Sequence, residues 1–135
     1  MKLESKGPIV KPPVLKGPAQ KVSLEIQSWK GIISATHWTI GDSTKVNGAD
    51  FYVGPKELGH IHLDGELHLV LTKPLAQLLI ERDLADAFPY SDAWVQLEIT
   101  DKYSADLAKW LFKLGYDRLN DVTTPELKKR IIEFS

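Results

Sequence analysis

A chain of 135 residues, 43% hydrophobic and 26% charged, has room for one sizeable core and too little length for two. Its formal charge of -1 supplies no global attraction to nucleic acid or to an anionic membrane, and nowhere do eighteen apolar residues run together to span one. The absence of cysteine removes disulfide frameworks, thiolate metal sites and cysteine nucleophiles.

Residues 1–18 alternate Pro8, Pro12, Pro13 and Pro18 with Lys2, Lys6, Lys11 and Lys16 against one acid, Glu4. Such a composition favours extended, solvated backbone, so this stretch reads as a flexible tail ahead of a single domain over 19–135. It lacks the apolar core and small-residue cleavage site of a secretory leader, which predicts a cytoplasmic protein. Val22, Ile26 and Trp29 fall at helical spacing before the stop signal Gly31, predicting a first helix from Ala19 to near Lys30. The β-branched and aromatic run Ile32 to Ile40 predicts a strand, GDSTKVNG a turn, and Asp50 to Val53 a second, short strand.

The segment 57-ELGHIHLDGELHLVLT-72 holds three of the four histidines. A two-residue Asp64-Gly65 turn would mix polar and apolar side chains on both faces of a hairpin. A three-residue turn, Leu63-Asp64-Gly65 with the glycine left-handed, separates them. It pairs His62 with Glu66, Ile61 with Leu67 and His60 with His68, sending Ile61, Leu67, Leu69 and Leu71 inward and His60, His62, Glu66 and His68 outward. Thr72 and Pro74 then open a helix carrying Leu75, Leu78 and Leu79. Ala93 to Ile99 alternates as a strand, and Asp101 caps a helix with Leu107, Leu111 and Leu114 on its buried side. Thr123 or Thr124 caps a last short helix, about 124–134, with Leu127, Ile131 and Phe134 as its stripe. The tight connections predict an α+β fold, an open antiparallel β-sheet with helices packed on one face.

The strings 51-FYVGPKELGHIHLDGELHLVLTKPLAQLLI-80, 93-AWVQLEIT-100 and 108-AKWLFKLGYDRL-119 resemble the small bacterial and fungal domain family called luciferase or luciferase-like, over about Val22 to Leu119. The later half is also similar, more distantly, to YjbR-like families with a frataxin-like sandwich. The resemblance implies an α+β domain without an assigned reaction. Flavin luciferases are (β/α)8 barrels of far greater length, and no phosphate-cradling glycine loop occurs here.

The expected site is a groove over His60, His62, Glu66 and His68, with Glu57 and Trp94 at its margin, taking a small organic ligand. Cross-strand imidazoles at His60, His62 and His68 are also close enough to converge on one Zn²⁺, with Glu57 or Glu66 as fourth ligand or general base, which would suit a metal-dependent hydrolase. The plainer alternative is that hydrogen-bonding side chains occupy the solvated face of a hairpin, or a groove beneath a loop, with no ion or cofactor at all. His37 is expected to stand apart from the cluster. Trp110, turned from the leucine stripe, is expected against the last helix, and Asp117 and Arg118 in an Asp-Arg pair that fastens the helix end to a neighbouring strand, ahead of a functional trio with Tyr116 in which Arg118 reaches an anionic ligand. The lysine tail and Lys128, Lys129 and Arg130 offer a surface for another protein or for nucleic acid, the latter disfavoured by the shortness of the charge runs.

Overall fold

The computed structural model describes residues 7–134. In chain order the elements are α1 (Pro18–Gln27), β1 (Ile32–Thr39), β2 (Asp42–Val53), β3 (Lys56–His62), β4 (Glu66–Val70), α2 (Lys73–Glu81), β5 (Asp86–Ala87), β6 (Trp94–Glu98), α3 (Lys102–Leu119) and α4 (Thr124–Glu133). The six strands form one open antiparallel sheet in the order β1-β2-β3-β4-β6-β5. The α+β expectation, an open antiparallel sheet with helices, is what the chain adopts. Among the described residues no helix is long and apolar enough to cross a membrane.

Alternation along each strand gives the sheet two unlike faces. Ala49, Phe51, Ile61, Leu67, Leu69 and Val95 face the helices and are fully buried. Val22 and Ile26 of α1, Leu75 and Leu79 of α2, Leu111 and Phe112 of α3, and Leu127 and Ile131 of α4 complete one continuous core. Phe112 meets Phe51 edge to face at 5.7 Å between ring centroids, the arrangement the ring quadrupoles prefer. Gly115 lets α3 come close to the sheet, since a Cβ there would meet the Cδ1 atoms of Leu58 and Leu69 at 2.9 Å.

The hairpin register is the one the hydrophobic pattern requires. Gly59 pairs with Leu69, His60 with His68 and Ile61 with Leu67, around a turn in which Gly65 has φ 93° and donates its N–H to the His62 carbonyl at 2.9 Å. Asp64 Oδ1 accepts from the Glu66 amide at 3.0 Å and closes the loop.

The expected GDSTKVNG turn is instead largely strand. Only Ile40-Gly41 turns, and β2 runs unbroken from Asp42. The outer end of the β1–β2 ribbon carries exposed residues from Ser43 to Val46, so it needs no apolar alternation, and two register shifts around Trp38 take up the twist. The two-residue strand β5 was not foreseen, being too short to leave a pattern.

Residues 7–17, within the expected tail, lie against the edge of β1. The Thr36 amide donates to the Val10 carbonyl at 2.7 Å, its hydroxyl to the Lys11 carbonyl at 2.6 Å, and Trp38 Nε1 to the Pro8 carbonyl at 2.7 Å. Leu15 is buried. The segment only accepts from β1 in these bonds, which suits a proline-rich stretch poor in donors, and it covers an edge that would otherwise be open to pairing. Lys2, Glu4 and Lys6 lie outside the described residues.

Trp110 packs on Phe134 in a tilted arrangement with ring centroids 4.2 Å apart, so it does face the last helix. Asp117 takes Arg130 of α4 at 2.6 Å and Lys113 at 2.9 Å, so the expected Asp-Arg pair joins two helices and its arginine is Arg130, not Arg118. Arg118 is half-buried, and that burial lowers its pKa.

Asp101 opens α3 with a reciprocal cap: its Oδ1 accepts from the Ser104 amide and hydroxyl, both at 2.8 Å, while Ser104 Oγ accepts from the Asp101 amide at 3.0 Å. The bond from the Ser104 amide, followed by that from its hydroxyl, holds the carboxyl below its ordinary value of 3.8. The unfolded chain therefore takes up this proton more readily, and the cap's contribution is complete above about pH 4 and lost as pH falls through the depressed value. In thermal melts from about pH 6 down to about pH 3, wild type should lose more than Asp101→Asn, which has no proton to gain at this position. Equal losses would remove the cap from the acid response.

Candidate functional site

The outward face of the sheet is organised in rows, each crossing several strands. One row runs His37 on β1, Gly48 on β2 and His62 on β3; the next runs Ala35, Asp50, His60, His68 on β4 and Gln96 on β6. Four imidazoles from three strands thus meet over the middle of the sheet. His60, His68 and His37 are only 7%, 9% and 7% exposed, so the cluster does not lie on a solvated hairpin face, and of the two plainer readings the groove beneath a loop is the one compatible with this burial. Trp94 and Phe88 stack on one another at 5.5 Å and close over it, Phe88 lying 4.7 Å from His68 and Trp94 6.2 Å from His60.

His60, His62 and His68 form a nearly equilateral triangle of rings, with centroid separations of 4.9, 4.9 and 4.7 Å and interplanar angles of 75°, 78° and 69°. His60 Nε2 lies 2.9 Å and His62 Nε2 3.3 Å from His68 Nδ1. The far nitrogen of His68, Nε2, is 2.8 Å from Glu66 Oε1, a contact that places its proton on that side. Glu66 is therefore at the back of His68.

His37 belongs to the group, contrary to expectation. Its ring stacks on His60 at 4.1 Å with 10° between the planes, and its Nδ1 lies 2.8 Å from Asp50 Oδ1. Asp50 is fully buried, with the same oxygen 3.9 Å from His60 Nδ1. Neither role was read from the sequence. An aspartate set within the apolar run ADFYV was the available signal for Asp50, and the glycine at 48 was the signal for His37. That glycine separates His37 from His62 by register, and a Cβ on it would stand 2.0 Å from the Ile61 carbonyl oxygen.

Burial lowers the pKa of His62, with a further contribution from its neighbours His68 and His37, against the opposing pull of Asp64 and Glu66. The neutral form with its free lone pair is the one favoured at neutral pH.

Beside the cluster lies an open groove of about 660 Å³, walled by Trp38 and Trp94, floored by His37 and His60, and bounded by Glu57 and the β1–β2 turn. Glu57 accepts from the Tyr52 hydroxyl at 3.3 Å. Of the expected site residues, His60, Glu57 and Trp94 line this groove, while His62, Glu66 and His68 stand behind it.

Residues 55–115 match the family model described as Luciferase domain, and no curated protein and no solved structure matches the chain. The matched stretch runs from the turn before β3 through most of α3 and contains His60, His62, Glu66, His68, Phe88 and Trp94. It leaves out His37 and Asp50. The similarity to the Luciferase domain family thus covers residues 55–115, the part of the chain that builds the histidine triangle and the helix beneath it.

Proposed function

We propose that this luciferase-like domain is a binding module for a small, flat organic ligand, held in the groove between Trp38 and Trp94 against the imidazole rings of His37 and His60, with the carboxylate of Glu57 at its polar margin. The observation that supports this reading is the lining of the 660 Å³ groove, two indoles above two buried imidazoles. Ligand sites commonly combine an apolar, aromatic wall with a few fixed polar groups. The imidazoles here are fixed, one by its contact with Asp50 and the other by its neighbour His68. Rigid polar groups lose little freedom on binding, and a stacked aromatic gains contact on a flat face.

The groove is tested with indole and 8-anilinonaphthalene-1-sulfonate as probes, followed by tryptophan fluorescence and saturation-transfer spectra. Saturable binding by at least one of them is expected, weakened about tenfold or more in Trp94→Ala, a loss of about 1.4 kcal/mol. Lys128→Ala, on the far helix, should leave it unchanged. Probe signals that never saturate, or that survive Trp94→Ala intact, would refute the groove as a ligand site.

A further inference from the structure

We propose that His60, His62 and His68 are the three protein ligands of a first-row transition-metal ion such as Zn²⁺ or Co²⁺, and that Glu66 orients one of them from behind. This deepens the binding reading by placing a metal centre beside the groove.

The argument begins with lone pairs. Glu66 holds the proton of His68 on Nε2, so Nδ1 of that ring presents one in-plane lone pair. Two other imidazole nitrogens, from His60 and His62, approach that same atom at 2.9 and 3.3 Å. One lone pair accepts one well-aligned hydrogen bond, so hydrogen bonding accounts for one approach and leaves the second unexplained. An ion among the three accounts for both. Nitrogens bound tetrahedrally at about 2.0 to 2.1 Å stand about 3.3 Å from one another, with ring centroids roughly 5 Å apart. The centroid separations of 4.7 to 4.9 Å are of the size that three rings around one ion would have, and the steep interplanar angles keep the rings from stacking.

A different set, His37, His60 and His62, offers nitrogens that all lie within 4.8 Å of one another. His37 lies parallel on His60, however, and parallel rings aim their lone pairs alongside each other instead of at one ion. His37 is therefore a stacking neighbour, held by Asp50. A donor set of imidazoles without thiolate suits Zn²⁺, Co²⁺, Ni²⁺ or Cu²⁺ over Mg²⁺ or Ca²⁺. Glu66 on His68 supplies the carboxylate-histidine pairing that usually backs a metal-bound imidazole. Three protein ligands leave a fourth position for water or for a donor atom of a bound molecule.

The full chain, made without a histidine tag and stripped with chelator, is titrated with Zn²⁺ while the imidazole nitrogen resonances are recorded. One ion per chain is expected, shifting His60 Nε2, His62 Nε2 and His68 Nδ1 and leaving His37 Nδ1 in place. Glu66→Gln should weaken binding about tenfold to a hundredfold, His62→Gln more than that, and His37→Gln by no more than a few-fold. His62 lies at the end of β3 and is half-buried, so its variant disturbs the core least. Imidazole resonances unmoved at about a tenfold excess of Zn²⁺ would overturn the proposal. So would binding that survives His62→Gln, or binding that needs His37 and not His68. Probe binding to the groove, measured in chelator, separates failure of the metal site from failure of the ligand reading.

Discussion

Gly48→Ala is expected to destabilise the protein by about 3 kcal/mol or more and to scatter the histidine cluster. A Cβ at this position would lie 2.0 Å from the Ile61 carbonyl oxygen and 2.8 Å from His62 Cα, both backbone atoms of β3. No rotamer change relieves such a contact, so β2 and β3 must separate where His37 and His62 flank them. Gly54→Ala makes the comparison informative. Its added Cβ meets nothing within 4 Å, and only its left-handed φ of 57° resists substitution, at about 1 kcal/mol. Urea denaturation of both variants, with imidazole spectra of Gly48→Ala below its midpoint, checks the claim. Equal midpoints for the two, or a wild-type histidine pattern in Gly48→Ala, would show that strand approach does not hold the cluster together.

Phe112→Ala is expected to cost about 4 kcal/mol, within the usual range for deleting a buried aromatic ring. Phe112 is fully buried, packs edge to face on Phe51 and lies directly under Gly59, where a Cβ would be 3.2 Å from its ring. Its removal leaves a hole beneath the strand that carries His60. The outward face does not depend on that ring for any polar contact, so the folded fraction should keep its His60–His68 contact while the melting temperature falls. A loss below about 1 kcal/mol would mean that α3 collapses into the space and that the core under the site is plastic.

The part of this architecture that could be read from the residues is the part where one face is oily. Ile61, Leu67 and Leu69 admit a single hairpin register, and that register alone brings His60 opposite His68. The capping aspartate Asp101 and the caps at Thr72 and Thr123 mark helix starts through side-chain and backbone chemistry confined to a few residues, although Thr72 forms no side-chain cap bond. What escaped depended on neighbours distant in sequence. His37 joins the cluster because β2 lies between it and β3, and nothing in SATHWTI states which strand lies beside it. The exposed ribbon from Ser43 to Val46 looks like a turn since solvent on both sides imposes no pattern on a strand. The cover supplied by Phe88 comes from a stretch beside a two-residue strand, below the length at which periodicity speaks.

The most direct measurement is of the rings themselves in the metal-free protein: proton-proton Overhauser contacts among the Hδ2 and Hε1 atoms of His60, His62 and His68. The expected result is a closed set of cross-peaks joining all three, with a further one from His60 to the indole of Trp94. Contacts of the His68 ring with the methyls of Leu79 or Leu111, on the helix side of the sheet, would contradict it, because they would place that ring and His60 on opposite faces.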